Sequence, residues 1–133
     1  MKIADVKILS LPKIKDERGN LSFLQEESLP FEIQDIFWSF DSKNRMDGYF
    51  YKNLGEIIIA FSGSVEVMVQ DSENNKCIFY LNSPLDALYV PRLLWREMIN
   101  FSDDVCVIHI LDGSLDEMSV IGDFKNYLNY VNA

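Results

Sequence analysis

Residues 49–70 read YFYKNLGEIIIAFSGSVEVMVQ, and this stretch decides the fold class. Its first part, residues 49–61, is a long apolar run that we expect to be extended, with a bulge at Gly55. A Ser-Gly pair at 62–63 then predicts a turn. Beyond it, valines recur at every second position, which places them on one face of a strand. The stretch therefore predicts strands joined by tight turns.

Short apolar runs of the same kind continue on both sides, separated by the polar segments at residues 15–20, 41–48 and 71–76. Many short strands with turns every 8–12 residues or so are typical of an all-β sandwich or barrel. The runs are KIADVKILSL (2–11), LSFLQE (21–26), IQDIFWSF (33–40), CIFYL (77–81), ALYVP (87–91), LWREMI (94–99) and VCVIHIL (105–111).

The hydrophobic period changes near the C-terminus, in the segment DEMSVIGDFKNYLNYV at residues 116–131. Apolar side chains recur there at the spacing of one helix face, from Val120 to Val131. Asp116 and Glu117 favour the N-terminus of such a helix. The sequence thus predicts a β jelly roll with one helix at its end.

The composition fits one globular domain, residues 1–133, in which 48% of the residues are hydrophobic. The net charge of −9 argues against binding to nucleic acid or to an anionic membrane surface. We find no run long enough to span a membrane and no signal peptide. These features predict a cytoplasmic protein.

The chain has a single histidine, His109, inside an apolar run. Protein metal sites usually take three or four His, Cys or carboxylate ligands, so no metal and no other cofactor are expected. A lone strand histidine is more often packed or hydrogen-bonded than ligating. The chain also lacks a glycine-rich phosphate loop.

Tyr49 and Tyr51 stand out because residues i and i+2 of a strand share a face. Two aromatic residues on one face ordinarily pack together, and this alternative stays open here. Trp95 and Arg96 must lie on opposite faces of their strand, so one of them enters the interior. Each cation taken alone is more often a solvated surface residue.

The chain as a whole resembles the nucleotide-sugar 3,4-ketoisomerases, which are WxcM-like cupins that act on dTDP-4-keto-6-deoxyhexoses. The resemblance rests on the order and spacing of four segments along almost the whole sequence. They are DERGNLSFLQEESLPFEIQDIFW, SGSVEVMVQD, SPLDALYVPRLLWREMINFSDD and LDEMSVIGDFKNYL.

This resemblance implies a cupin jelly roll without metal that forms a homodimer by exchanging N-terminal strands. It implies a nucleotide-diphosphate sugar as ligand and a role in making deoxysugars for bacterial surface polysaccharides. The residues that we expect to bind the substrate are Arg18, Lys52, Tyr89, Trp95 and Arg96.

The family's catalytic histidine pair aligns with Tyr49 and Tyr51. The arginine and glycine before that pair are Met46 and Asp47, a further histidine is Arg96, and an arginine near the last helix is Gly122. Positions that support the fold match the family pattern, whereas positions around the ligand differ from it. The resemblance therefore implies the same fold with a different set of side chains in the site.

Tyrosine is a poor substitute for histidine as a base, because its reference pKa is about 10 rather than about 6.5. Forming the phenolate at pH 7 costs about 4 kcal/mol, and we expect Arg96 or Lys52 to lower that cost. A neutral tyrosine can still donate a hydrogen bond to a keto oxygen.

Three functions remain open at this point. The first is a ketoisomerase, or a related isomerase or epimerase, that uses Tyr49 and Tyr51 as acid and base. The second is a catalytically inactive nucleotide-sugar-binding cupin, acting as a carrier or regulator. The third is the same fold with a different ligand.

Overall fold

The computed structural model describes residues 1–40, 46–114, 120–121 and 123–132, with the backbone alone described at 46, 47, 120 and 121. This part of the chain contains twelve β-strands and one α-helix. The strands are β1 (Lys7–Ser10), β2 (Lys13–Asp16), β3 (Gly19–Ser22), β4 (Asp35–Phe40), β5 (Met46–Tyr51), β6 (Glu56–Ser62), β7 (Val65–Gln70), β8 (Lys76–Leu81), β9 (Asp86–Val90), β10 (Trp95–Ile99), β11 (Cys106–Leu111) and β12 (Val120–Ile121). The helix is α1 (Phe124–Val131).

The strands form two five-stranded antiparallel sheets and one hairpin. The first sheet has the order β1-β9-β6-β11-β4, and the second has the order β12-β5-β10-β7-β8. Strands β2 and β3 form a separate two-stranded sheet. This arrangement fits a jelly roll, so the predicted all-β fold with a C-terminal helix is confirmed.

The main core lies between the two sheets, where inward side chains from both of them meet. On β7 every second residue is buried, and Val65, Val67 and Val69 have no exposed surface. They pack against Ile58 and Ala60 of β6 in the facing sheet. The strict alternation of side chains along a strand is what fills this core.

The long apolar run at residues 49–61 is not one bulged strand, as the sequence predicted. It is divided into β5 and β6, which belong to different sheets. Between them, Leu54 is buried, and the backbone N–H of Gly55 donates to the carboxylate of Asp112 at 3.0 Å. One straight strand cannot pair in both sheets, so the chain crosses over here.

The C-terminal helix begins at Phe124, later than the sequence pattern predicted. The side chain of Asp123 accepts hydrogen bonds from the backbone N–H groups of Lys125 and Asn126, at 2.8 and 3.4 Å. An aspartate in this position caps a helix N-terminus. Val120 belongs to strand β12, which pairs with β5.

Asp116, Glu117 and Gly122 lie outside the described residues. The described helix is too short to cross a membrane.

The outer face of the first sheet carries exposed apolar side chains. Ile36, Trp38, Phe40 and Phe61 are between 52% and 64% exposed. A groove of about 770 Å³ runs along this face, beside the residues that follow hairpin β2–β3. A soluble monomer rarely leaves a continuous apolar patch of this kind uncovered.

Candidate active site

A cluster of five polar side chains lies between the two sheets, in an interior that is mostly apolar. Strands β5 and β10 contribute one side of the cluster, and strands β6 and β11 of the facing sheet contribute the other. The cluster consists of Tyr49, Tyr51, Glu56, Arg96 and His109, and we call it the polar cluster.

Glu56 is the centre of the polar cluster, and its side chain is fully buried. Its Oε1 accepts a hydrogen bond from Nη1 of Arg96 at 2.8 Å, and its Oε2 lies 2.8 Å from Nδ1 of His109. The hydroxyl of Tyr49 donates to the same carboxylate, at 3.0 and 3.2 Å from its two oxygens.

Burial by itself raises the pKa of Glu56, but its hydrogen bond and electrostatic interaction with His109, and its interaction with the Arg96 guanidinium, outweigh that effect. The pKa of Glu56 is therefore below its ordinary value. The carboxylate is ionised at neutral pH and acts as an acceptor for all three neighbours.

Arg96 is the member of the Trp95–Arg96 pair that enters the interior. Its guanidinium has no exposed surface, and Nη2 donates to the carbonyl oxygen of Leu94 at 2.9 Å. The central carbon of the guanidinium lies 5.3 Å from the ring centroids of both Tyr49 and Tyr51. Within the described part of the chain, Nε has no hydrogen-bond partner. Sequence alternation correctly predicted that one of the two would point inward.

Tyr49 and Tyr51 share a face of β5, as predicted, and their rings meet edge to face at a centroid distance of 5.3 Å. Burial and the neighbouring Glu56 carboxylate raise the pKa of both phenols, and the opposing effect of Arg96 is smaller. Arg96 does lower the pKa of both phenols, as expected, but burial and the Glu56 carboxylate outweigh it, so the net shift is upward. Both phenols are neutral at physiological pH.

His109 is buried and held on two sides. Its ring stacks on Phe37 of the neighbouring strand β4, with centroids 4.5 Å apart and planes 4° from parallel. Its Nδ1 is fixed by Glu56, whereas Nε2 is buried without a hydrogen-bond partner among the described residues.

The sequence analysis did not single out Glu56. The signal was present, since Glu56 is a charge at the start of the buried run EIIIA, where an unpaired carboxylate is costly. Such a residue predicts a buried cationic or hydrogen-bonding partner.

Two of the predicted substrate-binding residues lie apart from the polar cluster, Arg18 exposed and Lys52 half-buried. Arg18 is in the turn of hairpin β2–β3, where its side chain is 92% exposed and pairs with Asp16 at 3.3 Å. The ammonium of Lys52 lies 4.6 Å from the ring centroid of Tyr130 in α1. Neither has a recorded contact with the polar cluster.

The two predicted aromatic contacts lie on outer faces of the sheets. Tyr89 belongs to the apolar layer outside the first sheet, with its ring centroid 6.0 Å from that of Phe31. Trp95 packs with Phe50 and Tyr127 in the layer between the second sheet and the helix. Of the predicted binding residues, Arg96 is the one that the fold brings to the tyrosine pair.

In the described part of the chain, no group of three His, Cys, Asp or Glu side chains is placed to hold a metal ion. The side chains of Met46 and Asp47, two of the positions that depart from the family pattern, lie outside the described residues.

Comparison with known proteins identifies relatives over nearly the whole chain. The family model FdtA (WxcM-like, C-terminal) matches residues 4–132. The TDP-4-oxo-6-deoxy-α-D-glucose 3,4-oxoisomerase of Aneurinibacillus thermoaerophilus is 30% identical over 128 residues, which cover 94% of this chain and 91% of the relative.

Solved structures agree with this result. The TDP-quinovose 3,4-ketoisomerase of Campylobacter jejuni is similar with a TM-score of 0.88 and 32% identity, over 96% of this chain and 99% of the other. A 3,4-ketoisomerase of Helicobacter canadensis is similar with a TM-score of 0.90 and 30% identity, over 97% and 98% of the two chains. The chain therefore belongs to the FdtA (WxcM-like) family, and its three relatives named above are 3,4-ketoisomerases.

Proposed function

We propose that this protein is a nucleotide-sugar 3,4-ketoisomerase that acts on a dTDP-4-keto-6-deoxyhexose in the synthesis of sugars for bacterial surface polysaccharides. One observation carries the proposal: a buried polar cluster lies between the sheets of a chain whose relatives perform this reaction. A cluster with a carboxylate, an imidazole and phenols can move protons and bind a keto oxygen.

Tyr49 and Tyr51 occupy the positions where the family resemblance places the histidine pair. Their raised pKa values mean that they serve as neutral hydrogen-bond donors and acids, not as bases. The hydroxyl of Tyr49 is already bound to Glu56. We therefore assign polarisation of the 4-keto group to Tyr51, whose hydroxyl has no hydrogen-bond partner recorded among the described residues.

The proposed ligand is a nucleotide-diphosphate sugar, with Arg18, Lys52 or Arg96 near its anionic or keto groups and Tyr89 and Trp95 as aromatic contacts. The exposed position of Arg18 suits the charged diphosphate, because an exposed cation keeps its hydration until the anion arrives. No separate cofactor is part of this proposal, and the cytoplasm is its proposed location.

A homodimer with an exchanged N-terminal strand is part of the same proposal. The support is the exposed apolar face of the first sheet, where Trp38 and Phe61 are more than half exposed. Strand β1 lies at the edge of that sheet and pairs with β9. In a strand-exchanged dimer, β1 of one copy would take this place beside β9 of the other copy.

A catalytically inactive nucleotide-sugar-binding protein is the second candidate. The observation that favours it is the hydrogen bond from Tyr49 to Glu56, which opposes formation of a phenolate at that position. Binding to the ligand does not need a proton to leave carbon, so this cluster would still suit a carrier or a regulator.

Incubation with TDP-4-keto-6-deoxyglucose in deuterated water, followed by NMR at C3 and C4, separates the two candidates. An isomerase incorporates deuterium and forms the 3-keto product. Tyr51→Phe should slow this exchange strongly, while Tyr80→Phe, a control on the exposed side of β8, should not change it. A protein that binds the sugar nucleotide but neither exchanges deuterium nor forms the 3-keto product at pH 7 or pH 9 is the inactive binding protein.

A further inference from the structure

Three properties together single out His109 within the polar cluster. It is the only histidine in the chain. Histidine is also the residue type whose charge changes between about pH 5 and 8. Finally, its Nδ1 binds the same carboxylate oxygen, Oε2 of Glu56, as the hydroxyl of Tyr49, so the imidazole lies close to Tyr49.

The contact with Glu56 fixes which ring nitrogen carries the proton. Because the carboxylate is ionised, Nδ1 at 2.8 Å must donate to it. In the neutral ring, Nε2 then carries the lone pair and is the basic atom. The stacked Phe37 ring holds the imidazole in this orientation. A carboxylate that orients a histidine through one nitrogen and leaves the other free for proton transfer is a recurring catalytic arrangement.

The second nitrogen has no partner recorded within the described residues, although it is buried. Buried polar atoms in folded proteins almost always have a hydrogen-bond partner, and leaving one unpaired costs about 1–3 kcal/mol. An unpaired buried atom is tolerated more readily where a bound ligand pairs with it than where it only packs in a core. The free nitrogen is therefore an independent sign of a ligand at this position.

We propose that His109, oriented by Glu56, is the base that moves the proton between C3 and C4 of the sugar, in place of the missing histidine pair. The proposal rests on the proposed function and adds to it the residue that carries the proton. Glu56 is a positioning residue in this scheme, and Tyr51 binds the oxygen that becomes negative.

The step balances without any further reactant. The C3–H bond breaks, its proton goes to Nε2, and its electron pair forms a C3=C4 double bond while the carbonyl electrons move to O4. A proton then shifts from O3 to O4. The imidazolium returns its proton to C4, and O3 becomes the 3-keto oxygen. The histidine ends in its starting state.

The test is the formation of the 3-keto product together with the deuterium exchange at C3, measured with the intact protein. His109→Gln should reduce the exchange by about 100-fold or more, with the affinity for TDP unchanged. Ile108→Val is the matched control, because Ile108 lies on the same strand and belongs to the layer outside the sheet.

A second measurement does not depend on any variant. Protein labelled with ¹⁵N-histidine gives one pair of ring signals, since the chain has one histidine. These signals should report the Nδ1–H tautomer, and the Nε2 signal should shift when TDP-4-keto-6-deoxyglucose binds. An Nε2–H tautomer, or an Nε2 signal that does not change in the complex, would overturn the proposal.

The outcomes separate this inference from the proposed function. Full exchange and product formation by His109→Gln overturn the role of His109 and leave an isomerase that uses another base. A wild-type protein that binds TDP-4-keto-6-deoxyglucose but neither exchanges deuterium nor forms the 3-keto product overturns both.

Discussion

Replacing Glu56 by glutamine should destabilise the protein strongly, because it removes the charge that compensates a buried guanidinium. Arg96 has no exposed surface, and Glu56 is its partner at 2.8 Å. Breaking a buried ion pair on one side costs about 3–5 kcal/mol. With an unfolding entropy of about 2.1 cal/mol/K per residue over 133 residues, this corresponds to a fall in Tm of roughly 11–18 °C.

The free energy of unfolding, measured by urea denaturation of both proteins, tests this number. Glu66→Gln is the matched control, since Glu66 is also a strand glutamate but binds Asn100 at the surface. Its effect should stay within about 0.5 kcal/mol. A double variant, Glu56→Gln with Arg96→Met, should recover part of the lost stability because it leaves no unpaired charge.

The difference in the free energy of unfolding between wild type and Glu56→Gln should depend on pH. The pKa of Glu56 is below its ordinary value, so the unfolded chain binds a proton more readily than the folded one. The stability that the carboxylate contributes is present above pH 4.3 or so and is lost as the pH falls through the lowered pKa. The gap between wild type and Glu56→Gln should therefore narrow in acid. A loss below about 1 kcal/mol at pH 7, or a gap that widens in acid, would refute the reasoning.

Three further predictions concern packing, assembly and metal. Gly48→Ala should cost about 1–3 kcal/mol of stability, because a Cβ at this position meets the Trp95 ring and comes within 2.7 Å of the Glu97 side chain. An unchanged urea denaturation curve would show that Trp95 and the helix packed on it can move aside without cost. Trp38→Glu should convert the proposed homodimer to monomer in light scattering, whereas an unchanged mass would place the dimer contact on another surface. Treatment with a chelator should leave the Tm and TDP binding as they were, and a fall of many degrees in Tm would reveal a structural metal.

Local patterns determined much of the fold. The alternation of Val65, Val67 and Val69 correctly predicted a half-buried strand, and the spacing of Tyr49 and Tyr51 correctly predicted a shared face. These predictions hold because the direction of a side chain depends on its own strand, and a strand alternates with period two. The predicted helix exists for a similar reason, although its start at Phe124 was set by the cap at Asp123 and by the pairing of β12.

Tertiary structure alone decided which residues meet. Glu56 and His109 are 53 positions apart, and Glu56 and Arg96 are 40 apart, so their contacts depend on the order of the strands and on how the two sheets face each other. No periodicity contains that information. The sign of the tyrosine pKa shift was also decided there, because burial and the Glu56 carboxylate outweigh the cation that sequence reasoning had considered. The sequence by itself determines which face of its strand each side chain occupies. The packing of the sheets determines its neighbours, and therefore its hydrogen bonds and the direction of its pKa shift.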